Sequence, residues 1–405
     1  MTLSPADTMA CSGDDQGGPF GFTLRSAEVA DGPRRARMDT GHGSVETPAF
    51  MPVGTQATVK TLLPSEVRAT GAQIILANTY HLMLRPGLPT LQAAGGLHRF
   101  MGWNGPILTD SGGFQIFSLG GNVRVREEGV TFRSHIDGRA LQLTPEQAVA
   151  LQLGWGSDIL MPLDHLVGLP AETRTVLDAM ERTHRWLERA IAAFREAGGG
   201  ARSALFGICQ GGMDEHLRRE SAATLADADV AGCAIGGLSV GEPKPVMAAM
   251  LEVVTPVLPV MKPRYLMGVG SPEDLWMGVA RGVDLFDCVL PTRLARNGAL
   301  FTPEGRINIK NRRFAEMHAP LDATCDCAAC QEFTAAYLHH LFRAREVLGL
   351  RLASVHNLRY LAREMEAIRL AIDTGTFASA YRDFHDRYRP VGTGAATGVS
   401  VASVN

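Results

Sequence analysis

The feature that most restricts the fold is a rhythm of eight short apolar runs, each closed by a polar residue or glycine and each followed by a helix-like stretch. The runs are Ala49 to Val53, Ile74 to Ala77, Pro106 to Thr109, Ile159 to Pro162, Ala204 to Cys209, Gly232 to Ile235, Tyr265 to Met267 and Val283 to Phe286. Short apolar runs bounded by breakers read as buried strands. Strands alternating with helices imply a parallel sheet, and eight of them suggest closure into a (β/α)8 TIM barrel. An open doubly wound sheet is the competing architecture, because the same alternation builds it.

Helix starts punctuate the rhythm. Thr144-Pro145-Glu146-Gln147 and Ser271-Pro272-Glu273-Asp274 each place a capping hydroxyl before a first-turn proline, and Gln147 completes a capping box. The longest expected helix follows Pro170, carries its apolar face through Val176, Met180, Thr183, Leu187, Ile191 and Phe194, and stops at Gly198. Two insertions interrupt the pattern. Val123 to Leu143 alternates around Glu128-Gly129 and Asp137-Gly138, predicting a small antiparallel β meander after strand three. The other insertion follows strand eight and holds a cysteine cluster. A hairpin around Asp31-Gly32 precedes the barrel, so the domain reading is a tail at 1–20, a barrel domain over 21–390 and a second tail at 391–405.

Composition narrows the partners. A net charge of −3 gives no global attraction to a polyanion, so nucleic acid would have to meet a local basic patch. The sequence lacks an apolar run of the roughly eighteen residues a membrane helix needs, and its start lacks a basic segment followed by an apolar one. A cytoplasmic location without membrane contact is expected.

In a parallel barrel the chemistry sits at the carboxyl ends of the strands. Those ends name Asn78, Asp110, Asp164, Gln210, Gly237, Met267 and Asp287. Asp287 is central, because GVDLFDCVLPTR puts it at the end of the last apolar run with basic residues directly behind. An aspartate that only caps a turn is the plain alternative. Converging carboxylates with an amide suit cleavage of a glycosidic bond, one acid attacking and another moving protons. They suit Mg²⁺ binding or proton abstraction as well. In DSGGFQ the glycines admit close backbone approach, and Phe114 offers either a stacking face or a core side chain.

Cys325, Cys327 and Cys330 crowd together, and His356 follows twenty-six residues after the last of them. Three thiolates and an imidazole fill a tetrahedral Zn²⁺ shell, which implies a structural metal; a redox or disulfide role is the alternative. His356 is expected to open a helix with Leu361, Met365, Ile368 and Ile372 on its apolar face, stapling the insertion to the barrel. Arg293, Arg296, Arg306, Lys310, Arg312 and Arg313, with Glu304 as the single acid among them, would meet a phosphate backbone.

TPAFMPVGTQATVK, LANTYHLMLRPG, LTDSGGFQIFSL, CQGG, AIGGLSVGE, YLMGVG, FDCVLPTR and the cysteine–histidine set together resemble the tRNA-guanine transglycosylase family, also called queuine tRNA-ribosyltransferase. The resemblance runs from about Phe22 to the helix after His356. It implies a barrel with a zinc subdomain at about 292–357, usually homodimeric. It implies exchange of guanine at the wobble position of tRNAs with a U-G-U anticodon for a 7-deazaguanine base. By the same resemblance Asp287 is the nucleophile that becomes ribosylated and Asp110 the general acid/base. Asp164, Gln210 and Gly237 would hydrogen-bond the base, Phe114 and Met267 would pack on its faces, and Ser111 would lie beside Asp110. Arg293 and Arg296 would hold RNA, and Cys325, Cys327, Cys330 and His356 would hold Zn²⁺. One departure stands out: bacterial members follow the base-reading aspartate with Glu-Cys, whereas Asp164 is followed by His165 and Leu166. An aliphatic residue there matches members that accept queuine, while Val240 matches those that take 7-aminomethyl-7-deazaguanine, the expected incoming base. The rival functions are a glycoside hydrolase on the same barrel and a non-catalytic RNA-binding subunit.

Overall fold

The architecture follows from which of the short apolar runs pair, and in what order. In a computed structural model, which describes residues 20–390 apart from 28, 120–122 and 169, all eight runs contribute strands. The expected tails at 1–20 and 391–405 lie outside the described residues, Phe20 excepted. The strands are Ala49–Pro52, Ile75–Asn78, Ile107–Asp110, Ile159–Leu160, Ala204–Cys209, Gly232–Ile235, Arg264–Leu266 and Leu285–Cys288. Each from the second onward pairs in parallel with its successor, and the eighth pairs with the first through Ala49↔Leu285. The remaining seam, between first and second strands, is joined by a Val53↔Leu76 bridge and a 2.6 Å bond from the Gly54 amide to the Leu76 carbonyl. Sequential order and closure exclude the open doubly wound sheet.

The two-residue period of a strand sorts side chains between lumen and outer layer. Met51, Leu76, Leu108, Ile159, Phe206, Ile208, Ala234, Tyr265 and Leu285 share one buried cluster inside the barrel. Their neighbours Phe50, Ile75, Ile107, Cys209, Ile235, Leu266 and Phe286 pack outward against the helices. Inward parity therefore continues from Leu76 to Asn78, from Leu108 to Asp110, from Ile208 to Gln210, from Tyr265 to Met267 and from Leu285 to Asp287.

The amino-terminal segment extends the expected hairpin to three strands, Gly21–Ala27, Arg34–Thr40 and Gly43–Thr47. It closes the floor of the barrel: Met38 and Val45 join the lumenal cluster, and fully buried Arg34 pairs with Asp284, just before strand eight. Arg34 also donates to the Val260 and Lys262 carbonyls at 2.8 Å, so the charge is fully engaged where water is excluded.

Helices and insertions fall close to their signals. Thr144 and Gln147 form the capping box of Pro145–Gly154, Ser271 caps Pro272–Val279, and Thr173–Glu196 ends before Gly198 in a left-handed conformation. Val123–Arg126, Gly129–Arg133 and Ala140–Leu143 make the meander. Asp287 sits at the carboxyl end of strand eight as expected, paired with Met51, but two expectations need correction. The strand spans Leu285–Cys288, two residues later than the run Val283 to Phe286. His356 does not open a helix but lies deep inside Val347–Asp373. That helix is buried nearly all round from Leu352 to Leu358, between insertion and barrel, so this stretch lacks the one-sided periodicity that marks a surface helix. Among the described residues no helix is long and apolar enough to cross a membrane.

Candidate active site and metal centre

Strand ends two, three, five, seven and eight deliver polar groups into one mouth. Asp287 is buried, and its Oδ1 accepts the Tyr265 hydroxyl at 2.6 Å and the Gly268 amide at 2.7 Å. Both bonds fall on Oδ1, so Oδ2 is the oxygen left to form a new bond. Burial pushes its carboxyl pKa up, and the Tyr265 and Gly268 hydrogen bonds pull back. Asp110 Oδ1 accepts the amides of Thr79 at 3.1 Å and Gly112 at 3.0 Å, while Oδ2 accepts Asn78 Nδ2 at 2.6 Å. Asn78 is fixed in turn, because its Oδ1 caps the next helix through the His81 amide. Burial above all, with the Asp287 charge adding to it, pushes Asp110 up to about 7. Two carboxylates close enough to repel, both shifted toward neutrality but held by different partners, are equipped for different roles.

A third acid stands beside this pair. Asp164 accepts Gln210 Nε2 at 2.8 Å and the Ser111 hydroxyl at 3.2 Å, and burial pushes it up to about 6. Two glycines make room for it and its partner. A Cβ on Gly113 would stand 2.9 Å from Asp164 Oδ1, and one on Gly237, where φ is +66°, would stand 2.5 Å from Gln210 Oε1. Met267 is half-buried beyond strand seven, its amide bonded to the Ile235 carbonyl at 3.2 Å. Phe114 is 54 % exposed, which rules out the core reading and leaves its ring free to stack. Ser111, Phe114, Asp164, Gln210, Gly237 and Met267 thus border the mouth that holds Asp110 and Asp287.

Sequence reasoning missed Tyr265 and Arg218. Tyr265 had a signal: it lies two residues before Met267 and shares its inward parity. Arg218 had none. From the helix Glu215–Asp227 its buried guanidinium reaches the carbonyls of Gly212, Gly236 and Gly237 at 2.8, 2.7 and 3.1 Å, tying together the loops after strands five and six. His165 receives a 3.0 Å hydrogen bond from Arg182 on Nδ1, and its ring stacks on Phe117. Burial first, then the Arg182 charge, pushes it down to about 4, so it is neutral near pH 7.

Behind strand eight, Arg293 is exposed and Arg296 half-buried on the helix Leu290–Arg296. Arg296 Nη1 is buried without a hydrogen-bond partner among the described residues, and burial and then the neighbouring Arg293 charge push the pKa of Arg296 down. Lys310, Arg312 and Arg313 are exposed farther along.

The ligand atoms of Cys325, Cys327, Cys330 and His356 all lie within 4.8 Å of one another, and all four residues are buried. His356 Nδ1 faces Cys330 Sγ at 3.3 Å and Cys327 Sγ at 3.6 Å, while Nε2 lies 2.7 Å from the Phe301 carbonyl. A carbonyl can only accept, so Nε2 carries the proton and Nδ1 turns a lone pair to the thiols, the arrangement a metal-binding histidine needs. The adjacent Asn357 binds the Pro291 and Ala299 carbonyls and the Phe301 amide, a link the sequence did not announce.

A closed eight-stranded barrel with ionisable groups gathered at the carboxyl-terminal mouth defines an enzyme of the TIM-barrel class. Comparison with known sequences specifies the family: the profile described as Queuine tRNA-ribosyltransferase matches residues 30–390. A protein of that name from Herpetosiphon aurantiacus is 59 % identical over 373 residues, covering 92 % of this chain and 93 % of its own length. Relatives of the same name from Symbiobacterium thermophilum and Moorella thermoacetica are 54 % and 52 % identical, each across 91 % of this chain and across 91 % and 97 % of their own lengths. The chain belongs to the queuine tRNA-ribosyltransferase family.

Proposed function

We propose that the protein exchanges guanine at the wobble position of U-G-U anticodons for 7-aminomethyl-7-deazaguanine, through a ribosyl ester on Asp287. The observation that carries this reading is the unequal acid pair: Asp287 with one oxygen tethered and one available, and Asp110 shifted up to about 7 beside it. Asp287 Oδ2 attacks the anomeric carbon, the glycosidic bond breaks with its electron pair passing to guanine, and Asp110 supplies the proton with which guanine leaves as the neutral base. In the return step Asp110, now a carboxylate, takes the glycosidic-nitrogen proton from the incoming base. That nitrogen attacks the anomeric carbon and releases the Asp287 carboxylate. Two displacements on one carbon retain its configuration. The nucleotide must be turned out of its stack to reach a buried acid. Asp164, Gln210 and the backbone at Gly237 would then read the base edge between Phe114 and Met267, with Ser111 steadying Asp164.

The subdomain at about 292–357 is assigned a structural zinc held by Cys325, Cys327, Cys330 and His356, whose donor set and His356 orientation fit that ion. Bound there, zinc supplies only a fixed tetrahedral crosslink, with no position open to substrate. Arg293 and Arg296 would receive phosphate, which suits the unpartnered Arg296 nitrogen. The reading places a homodimer in the cytoplasm.

Queuine as the incoming base is the second reading, favoured by Leu166 where the sequence departs from the bacterial pattern. Competition between the two bases for label displacement separates these alternatives. The central test incubates wild type and Asp287→Asn with labelled guanine and an anticodon hairpin, followed by intact mass analysis. Label should enter RNA with wild type alone, and a ribosylated peptide should contain Asp287. Equal uptake by both proteins, or an adduct on another side chain, would remove Asp287 as nucleophile.

A further inference from the structure

At the opposite end of the barrel from the acid pair, three separate segments converge on one carboxylate. Asp158 immediately precedes strand four, and its side chain is almost wholly buried. His42 lies in the turn between Arg34–Thr40 and Gly43–Thr47 of the floor sheet, and His98 in the helix Leu97–Met101. His42 Nδ1 is 2.7 Å from Asp158 Oδ1, and His98 Nε2 is 3.0 Å from Oδ2. The two imidazoles stack face to face with centroids 3.6 Å apart and planes 15° apart. Their ligand atoms and the carboxylate all fall within 4.8 Å of one another.

We propose that His42, His98 and Asp158 form a second metal site, for a divalent transition ion such as Zn²⁺, Co²⁺ or Ni²⁺, clipping the floor sheet to the barrel. Imidazole and carboxylate donors suit these ions, and three protein ligands leave at least one position for water. Zinc bonds of about 2.0 to 2.1 Å at tetrahedral angles separate ligand atoms by roughly 3.3 Å. The observed 2.7 and 3.0 Å separations need only a small opening to admit an ion. The carboxylate is already fixed, because Oδ2 also accepts the Ile107 amide at 2.8 Å. Before binding, His42 Nδ1 and His98 Nε2 carry the protons donated to Asp158; on binding, each proton passes through water to the other ring nitrogen and frees a lone pair for the metal, with no net gain or loss of protons. His42 is open to solvent and provides the entry path.

The test uses full-length protein whose cysteine centre is first saturated with zinc, titrated with Co²⁺ and followed by visible absorption and thermal melting. Wild type should bind one further equivalent, with ligand-field bands but no thiolate charge transfer, and should melt higher as Co²⁺ rises. His42→Ala and His98→Ala should each weaken that binding at least about tenfold, since losing even a supporting contact of a metal ligand has that effect. Exchange activity without added metal should be unchanged in His42→Ala, because the cluster is remote from the acid pair. No second ion bound by wild type at millimolar Co²⁺, or undiminished binding in either variant, would overturn the proposal.

Discussion

Asp110 ends strand three and Asp287 lies at the end of strand eight with the same inward parity, yet their surroundings separate them. Asp287 is steadied by a phenol, and Tyr265→Phe should remove one of the two bonds that oppose the effect of burial. Its carboxyl pKa would rise further. If Asp287 must be ionised to attack, the acid limb of the kcat profile should move to higher pH in the variant, while RNA binding stays near wild type. A pH–rate series checks this, and an unmoved limb counts against a positioning role for Tyr265. For Asp110 the pKa rises on folding from 3.8 to about 7. A raised pKa means that the folded state holds the proton better than the unfolded chain. Its stabilising share is therefore complete below about pH 4 and is lost as pH climbs through 7. At about 1.4 kcal/mol per unit, ionised Asp110 costs the fold up to roughly 4 kcal/mol. Asp110→Asn should accordingly melt above wild type at pH 8. At pH 5 it should melt below wild type, because the new amide faces the Asn78 amide donor. Melting curves at the two pH values should cross over in this way, with exchange abolished at both.

The helix Val347–Asp373 couples the cysteine cluster to the barrel. His356 presents Nδ1 to the thiols, and the next residue, Asn357, holds backbone groups of the helix after strand eight and of the hairpin Ala299–Thr302/Gly305–Asn308. Loss of the metal crosslink should loosen all of these together. Cys327→Ala should drop zinc from about one per chain toward none and cost several kcal/mol of folding free energy. Exchange per folded molecule should change little, since zinc has no open position. Metal analysis with thermal melting checks the first part, and an unchanged melting point in zinc-free protein contradicts it. The cysteine–histidine cluster was legible because cysteine spacing is a local pattern, and the eight strands because each is a short apolar run with its own breaker. The strand-end position of Asp287 was legible, but the bounds of its strand were drawn two residues early because the run Val283 to Phe286 looks complete, whereas the pairing of Asp287 and Cys288 with Met51 and Pro52 is a long-range contact. The helix turns from Leu352 to Leu358 were missed because contact on all sides erases periodicity. Arg218 was missed because its three acceptors are backbone carbonyls brought near only by closure of the barrel.

At the scale of the whole molecule, charge decides how a polyanion can be held. A protein with a net charge of −3 has no general attraction for RNA, so the proposed reading concentrates binding in the segment behind strand eight, which carries Arg293 and Arg296 a short way after Asp287 and Lys310, Arg312 and Arg313 farther along. Strand eight, the nucleophile candidate Asp287 and the basic helix Leu290–Arg296 follow one another directly in the chain, so on the proposed reading RNA held by the arginines would already be at the mouth. Each phosphate contact releases condensed counterions, steepening the salt dependence of binding by roughly 0.7 per contact on single strands. Arg296→Ala should therefore raise the KM for an anticodon hairpin and flatten the plot of log affinity against log salt by about one contact's worth. The effect should be similar for hairpins of different loop sequence, and kcat at saturating RNA should fall far less than affinity. Equilibrium binding across a salt series distinguishes the cases. An unchanged slope would mean that Arg296 meets no phosphate, and a loss confined to U-G-U loops would make it a reader of bases.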